Sequence, residues 1–432
     1  MNELSHRVAT PPGEPEAPPR PRHFRAGPFG VLDIGTSKIA CLIGRSESDA
    51  TLRVLGFGWQ RGRGVRGGCI TDLDEAERAI RAAVGQAEQM ADTRLSAVTV
   101  NLSCGQPESR LFNVQLSMGG RAVTEADIRR VVWAARERAL ADGRETIHAL
   151  PLDFAVDDTE EVADPRGLCC ETLTAQLHII DATATALRNL DTCIARCDLE
   201  IAELVSAPVA AGLATLVADE RQLGATVIDM GGGTTGIAVF AEGQVLHTAQ
   251  LPVGGTHVTG DIARLLSTTL AHAERLKTLY GNAESSPDDE RELLPVPLIG
   301  EDEHQIAKVP RSMVVSIIRP RLEETFEMAR DKLESSGLGR AAGTRLVLTG
   351  GACQLPGARE MAARILSRQV RRGRPHSLRG LPDVASGPAF ATASGLLAWA
   401  AGEGRGMHDI DLDAERPSGL LRRILNFLRE RV

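Results

Sequence analysis

Two stretches of the chain carry the same order of apolar and polar positions. Phe29-Gly-Val-Leu-Asp-Ile34 reads as an apolar strand, a glycine turn follows, and Lys38-Ile-Ala-Cys-Leu-Ile43 reads as a second strand. Ala225-Thr-Val-Ile-Asp-Met230, the run Gly231–Gly233 and a returning strand at 236–241 repeat that grammar in the second half. The spacing predicts a helix over about 72–90, introduced by Thr71 with Asp74 near the capping partner's place. A second helix is predicted over about 125–141, opened by Thr124, and others at 258–279, 311–335, 356–368 and 388–401. Strand-like runs lie at 146–156 and 172–180. The latter puts Leu173, Ala175, Leu177 and Ile179 on one face, with Thr172, Thr174, Gln176 and His178 on the other.

These elements divide the chain. Residues 1–28, rich in Pro, Arg and Glu, read as a disordered leader. Residues 29–96 begin one α/β lobe, 97–178 form a small α+β insert, and 179–224 return to the first lobe. Residues 225–401 form the second lobe, within which the polar, proline-containing 281–308 is a surface excursion. A flexible linker at 402–417 and a distinct last segment, 418–432, follow.

Composition narrows the function classes. The 432 residues suffice for two or more core-bearing lobes, and 43 % hydrophobic with 25 % charged residues suits a soluble globular chain. A net charge of −8 gives no support for nucleic-acid binding. The eight cysteines include no Cys-x-x-Cys pair, so reduced thiols are expected rather than disulfides or zinc ligands. The apolar run 389–401 falls short of the roughly 20 residues that span a bilayer and reads as a core helix.

The candidate chemistry lies in the paired turns, Asp33-Ile-Gly35-Thr36-Ser37-Lys38 and Asp229-Met-Gly231-Gly232-Gly233-Thr234-Thr235. Glycine lets backbone approach an anion, and exposed turn N–H groups make a concave anion site. Asp33 and Asp229, each where a strand enters its turn, suit the waters of a Mg²⁺ ion bridging phosphates. Because a strand follows each turn, neither is a Walker or dinucleotide motif. A third element, Arg345-Leu-Val-Leu-Thr-Gly350-Gly351-Ala352, offers paired glycines against which a flat base can lie. Glu274 and Lys277 share a helical face and suit ribose and base edges; a solvated ion pair is the alternative.

In this order the motifs, together with Ala273-Glu-Arg-Leu-Lys277, resemble the actin/Hsp70/sugar-kinase ATPase superfamily. Within it the chain is similar to the bacterial cell-division FtsA family. The 97–178 insert, the run His247-Thr-Ala-Gln-Leu-Pro-Val-Gly-Gly255 and the amphipathic last segment carry that likeness. The resemblance implies an actin-like fold of two lobes with ATP and Mg²⁺ in the cleft, Gly255 included in the site. It further implies polymerisation with its own kind at the cytoplasmic face of the inner membrane, at the division septum. Its implied partners are the C-terminal peptide of the tubulin-like protein FtsZ and later division proteins. The peptide would dock on the subdomain at about 260–340, where Arg311, Arg319 and Arg321 are the candidate contacts.

Two departures from the Hsp70-like pattern lower the expected hydrolysis. Gly236 stands where an acidic residue is usual, and Ser206-Ala207-Pro208 carries no water-orienting carboxylate. In the last segment Ser418 caps a helix with Leu420, Leu421, Ile424, Leu425, Phe427 and Leu428 on one side. Arg422, Asn426, Arg429 and Glu430 take the other side, with Arg423 at the border, as in a basic interfacial helix on anionic lipid. Packing onto the body or a partner is the alternative there. For the whole chain the alternatives are a pilus-assembly relative, a cell-shape filament, a sugar kinase or an Hsp70-class chaperone. The kinase would need a substrate base and the chaperone a further β domain.

Overall fold

Every residue from Phe29 to Ile34 is buried, and a strand covered on both faces needs such a continuous apolar run. The computed structural model describes residues 27–47, 51–139, 141–300, 306–339 and 341–402. The chain runs β1 (Phe29–Ile34), β2 (Lys38–Ser46), β3 (Leu52–Arg61), β4 (Val65–Arg66), β5 (Cys69–Ile70), α1 (Leu73–Ala91) and β6 (Ala97–Leu102). Next come β7 (Glu108–Ser117), α2 (Glu125–Arg138), β8 (Arg144–Val156), β9 (Thr159–Val162), β10 (Thr172–Thr183), α3 (Ala184–Arg196), β11 (Glu200–Ser206), α4 (Ala207–Thr215) and α5 (Ala218–Leu223). The second half holds β12 (Ala225–Met230), β13 (Thr235–Ala241), β14 (Gln244–Leu251), α6 (Gly255–Leu265), α7 (Leu270–Tyr280), β15 (Leu293–Pro297) and β16 (Ile306–Pro310). It closes with α8 (Arg311–Ser335), β17 (Arg345–Thr349), α9 (Ala358–Leu366), β18 (Gln369–Arg372) and α10 (Ala391–Ala400).

The repeat seen in the sequence is a repeat of topology. The first sheet has the order β11-β6-β1-β2-β3 and the second β18-β17-β12-β13-β14, strand for strand the same arrangement. In each, two antiparallel hairpins are followed by two parallel strands. One apolar cluster serves both lobes. Val31, Ala40 and Leu42 of the first sheet and Val227, Ala238 and Phe240 of the second close on α4 and α10, which cross between them. Gly395 is what lets those helices touch, because a side chain there would run into the Ala210 carbonyl.

The insert sheet, β7-β10-β8-β9, is separate and has its own core with α2. It leaves the first lobe after β6 and returns beside its exit, where Thr183 N and Oγ1 donate to Gly105 O at 2.9 and 3.0 Å. The strand at 97–102, expected at the head of the insert, pairs instead with β1 and β11 of the first lobe.

Other expectations shift for local reasons. Asp72, not Thr71, caps α1, its Oδ1 accepting from Asp74 N and Glu75 N at 3.0 Å. The single helix expected over 258–279 is two. Ser267 turns left-handed (φ 48°) and Thr269 caps α7 through His272 N at 3.2 Å. The segment 281–308 is not wholly a surface excursion, since its β15 strand buries Leu294 and Val296. His178, placed on a polar face, is fully buried because that face packs against β14.

Candidate functional site

The two turns match to the hydrogen bond. Ile34 pairs with Ile39 and Met230 with Thr235, leaving four-residue loops 35–38 and 231–234. Each is closed by its first glycine, Gly35 N to Lys38 O and Gly231 N to Thr234 O, both 2.9 Å. The segment following the third strand of each lobe then occupies the turn carbonyls. Gly62 N donates to Ser37 O at 2.9 Å, and Gly255 N and Thr256 N to Gly231 O and Gly232 O at 3.0 and 2.8 Å. With the carbonyls held away, the N–H groups of Thr36, Ser37, Gly232 and Gly233 find no acceptor among the described residues. That is a double cradle for an anion.

The cradles face one another. A methyl group on Gly232 would lie 2.9 Å from Ser37 Cβ and Oγ, and one on Gly233 would run into Thr36 Oγ1. Both carboxylates sit at this meeting point. Asp33 is 5 % exposed and takes Lys38 Nζ at 2.8 Å, so Lys38 is tied to the carboxylate, its ammonium 4.9 Å over the Phe390 ring. Asp229 Oδ2 accepts from Thr392 Oγ1 at 2.8 Å. Burial pushes the Asp229 carboxyl up to about 6 against that hydrogen bond, and the nearby Asp33 charge adds to the rise. A cation would relieve both. No group of three or more His, Cys, Asp or Glu among the described residues is placed to hold a metal, so an ion here would complete its shell with water and phosphate oxygens.

The wall beside Gly231 completes the groove. Gly350 (φ 85°) lies so close under Asp229 Oδ1 and Met230 O that no side chain fits. Lys277 Nζ donates to Gly255 O at 3.1 Å, Thr259 Oγ1 at 2.9 Å and Glu274 Oε2 at 2.7 Å. Burial pushes the Glu274 carboxyl up, but the Lys277 and Thr259 hydrogen bonds outweigh it and hold the group below its usual range. The Lys277 side chain is thus tied to the groove wall, while that of Glu274 stays 47 % exposed.

A family model described as Cell division protein FtsA matches residues 226–395, and another, the SHS2 domain inserted in FTSA, matches 105–181. The Cell division protein FtsA of Rhizobium meliloti is 43 % identical over 89 % of both chains, and that of Escherichia coli 33 % identical over 85 % of this chain and 88 % of its own. The chain belongs to the FtsA family. Among solved structures, the PilM-PilN type IV pilus biogenesis complex gives a TM-score of 0.62 at 18 % identity, covering 86 % of this chain and 98 % of that one. MreB5 of Spiroplasma citri, bound to ADP, gives 0.51 at 13 %, covering 86 % and 95 %. At those identities they speak to fold alone. The fold of this FtsA relative is the actin-like ATPase fold, two lobes of duplicated α/β units with the FtsA-type α+β insert.

The groove of this FtsA-family chain brings together Asp33, Gly35, Thr36, Ser37, Lys38, Asp229, Gly231–Gly233, Gly255, Glu274, Lys277 and Gly350, from elements far apart in sequence. Thr235 contributes differently, its buried hydroxyl donating to Val253 O at 2.8 Å. The three arginines at 311–321 are already ion-paired. Arg311 pairs with Glu292 at 3.2 Å and Asp289 at 3.5 Å, Arg319 with Glu323 at 3.1 Å, and Arg321 with Asp261 at 2.6 Å and Glu324 at 2.5 Å. The membrane candidates Leu420, Leu421, Arg422, Arg423, Ile424, Leu425, Phe427, Leu428 and Arg429 lie outside the described residues. So do residues 1–26 and the linker beyond Gly402. All eight cysteines are free. The structure adds Gly62, Thr392, Phe390 and the β4–β5 hairpin to the groove's surroundings. Only the hairpin had a sequence signal, the Gly67-Gly68 dipeptide that a tight turn requires.

Proposed function

We propose that this chain is an ATP-binding division protein that assembles on the inner membrane's cytoplasmic face at the septum, ties FtsZ filaments to it and brings in later division proteins. The observation that carries the nucleotide part is the convergence of two matched turns with free N–H groups and one carboxylate each. The turns would hold the phosphates, Asp33 and Asp229 the waters of Mg²⁺, and Glu274, Lys277, Gly350 and Gly351 the ribose and base. Bound Mg²⁺ would supply charge neutralisation between the phosphates.

Turnover is slow in this reading. A methyl group on Gly236 would lie 3.0–3.1 Å from the Pro208 ring, so the two segments lacking a carboxylate adjoin each other. Losing a water-orienting base costs about 10²–10⁴-fold in rate. The FtsZ peptide reading rests on family membership and asks an acidic segment to displace internal carboxylates such as Glu323 from Arg319. Membrane attachment rests on the 418–432 pattern, where short helices bind weakly one at a time and hold by avidity in a polymer.

One experiment tests the assembly. Anionic liposomes are floated with the full chain and with a chain ending at residue 417, each with and without Mg-ATP, and released phosphate is measured in the same tubes. Flotation of the full chain that rises with ATP, little phosphate, and none of the truncated chain at the top is the expected result. Equal flotation of both chains removes the membrane anchor.

A further inference from the structure

The segment that enters α10 touches a charged group from each lobe. Its Phe390 ring, met edge-on by Phe57 and Trp59 at 5.6 and 6.5 Å, lies 4.9 Å from the Lys38 ammonium. Thr392, 7 % exposed in the first turn of α10, reaches Asp229 Oδ2 at 2.8 Å across 163 positions of sequence. A helical threonine often turns its hydroxyl back onto the carbonyl three or four residues earlier. Four residues before Thr392 that carbonyl is Pro388 O, which already accepts from Gly350 N at 3.2 Å and Thr349 Oγ1 at 3.5 Å. The Thr392 hydroxyl goes to Asp229 instead, and since an ionised carboxylate can only accept, Thr392 is the donor.

We propose that Thr392 is a positioning residue for the metal: its hydroxyl fixes the orientation of the Asp229 carboxylate, and through it the strength with which the protein holds the Mg²⁺ of a bound nucleotide. The proposal rests on the ATP reading above. No other side chain among the described residues donates to Asp229, so Oδ2 is oriented by this one hydroxyl. Oδ1 lies over the bare α-carbon of Gly350, where a side chain would displace it. The two carboxylates of the groove are thus held by unlike partners. Asp33 is bound by the Lys38 ammonium at 2.8 Å, a positive charge that competes with any cation. Asp229 is bound by a neutral hydroxyl, which orients the group and leaves its negative charge for a cation's water shell. Of the pair, Asp229 is the one better kept for the metal, and Thr392 is what keeps it.

The test removes the hydroxyl in two ways, Thr392→Val and Thr392→Ala, and keeps it in Thr392→Ser. Thermal melts first show which variants fold, and ATP affinity is then measured by calorimetry over a series of free Mg²⁺ concentrations up to saturation. Losing a hydrogen bond behind a metal-holding carboxylate costs about 10–100-fold in metal affinity. Either hydroxyl-free variant that folds should therefore need about tenfold more Mg²⁺ or beyond to reach wild-type ATP affinity, and should reach it at saturation. Thr392→Ser should stay within about threefold of wild type throughout. The proposal fails if the hydroxyl-free variants follow wild type at every Mg²⁺ level, or if their loss persists at saturating Mg²⁺. It fails equally if Thr392→Ser is as impaired as they are. A wild-type chain that binds ATP as well without Mg²⁺ as with it removes the role of Thr392 and spares the ATP reading. One that binds no ATP at all overturns that reading and the proposal together.

Discussion

At the scale of single residues, the groove depends on positions where a β-carbon cannot exist. Gly350 shows this best, because it combines a left-handed backbone with the Asp229 carboxylate and the Met230 carbonyl directly over its α-carbon. Gly350→Ala should cost about 1–3 kcal/mol of stability from strain alone, read as a lowered denaturant midpoint. It should also displace Asp229. A variant as stable as wild type would mean that the backbone relaxes freely there, contrary to the packing. Such residues were legible in part. Gly-rich turns announce close backbone approach, so the two phosphate turns and Gly350-Gly351 could be picked out of the sequence. Lys38 could be counted with the turn but not its tie to Asp33, and Thr392 carried no sign at all, because its partner Asp229 is distant in sequence.

At the scale of elements, the insert is seated by histidines. His148 Nε2 accepts from Ser206 N at 3.0 Å, and its ring lies 5.2 Å from Trp399 in the core. His178 Nε2 meets Ser109 Oγ, which in turn approaches His247 Nδ1 at 3.3 Å and accepts from Thr248 N at 3.1 Å on β14. Burial pushes His148 down to about 4, helped by the Arg136 charge, and His178 down to about 3, helped by His247 and His148. His247 is lowered too, by burial and then by Lys332. The unfolded chain takes up these protons near pH 6.5 while the folded chain refuses them until about pH 4 or below. Stability is therefore complete above pH 6.5 and falls as pH drops through 6.5 toward 4, by about 3 kcal/mol for His148 alone. Melts at pH 7.5 and 5.0 should differ by several degrees, and His148→Gln should shrink the difference. A flat profile would show that these rings are not buried neutral. Sequence pattern placed β10 and one of its faces correctly, but a two-residue period cannot say that a second face will be covered by another lobe. Nor could it assign β6, whose allegiance is settled by parallel pairing with distant strands, or foresee the break at Ser267 inside an unbroken helical period.

At the scale of the molecule, duplication explains both the groove and the core beneath it. Two copies of one sheet present the same turn to a common cleft, and α4 and α10 cross below with Gly395 against Ala210. Gly395→Ala has no compliant neighbour, since the obstacle is backbone. It should destabilise by about 3 kcal/mol or more. Because the apolar cluster there includes residues of both lobes, calorimetry should show the lobes shifting together. The insert, with a core of its own, should respond less. Separate shifts for the two lobes would argue that they fold as independent bodies.

The bond between Thr183 and Gly105 has a consequence for how such a chain can vary. Entry and departure of the extra module use one doorway, so its removal leaves a gap that a couple of glycines can bridge. Relatives and engineers alike can exchange what hangs from that doorway without redrawing either lobe.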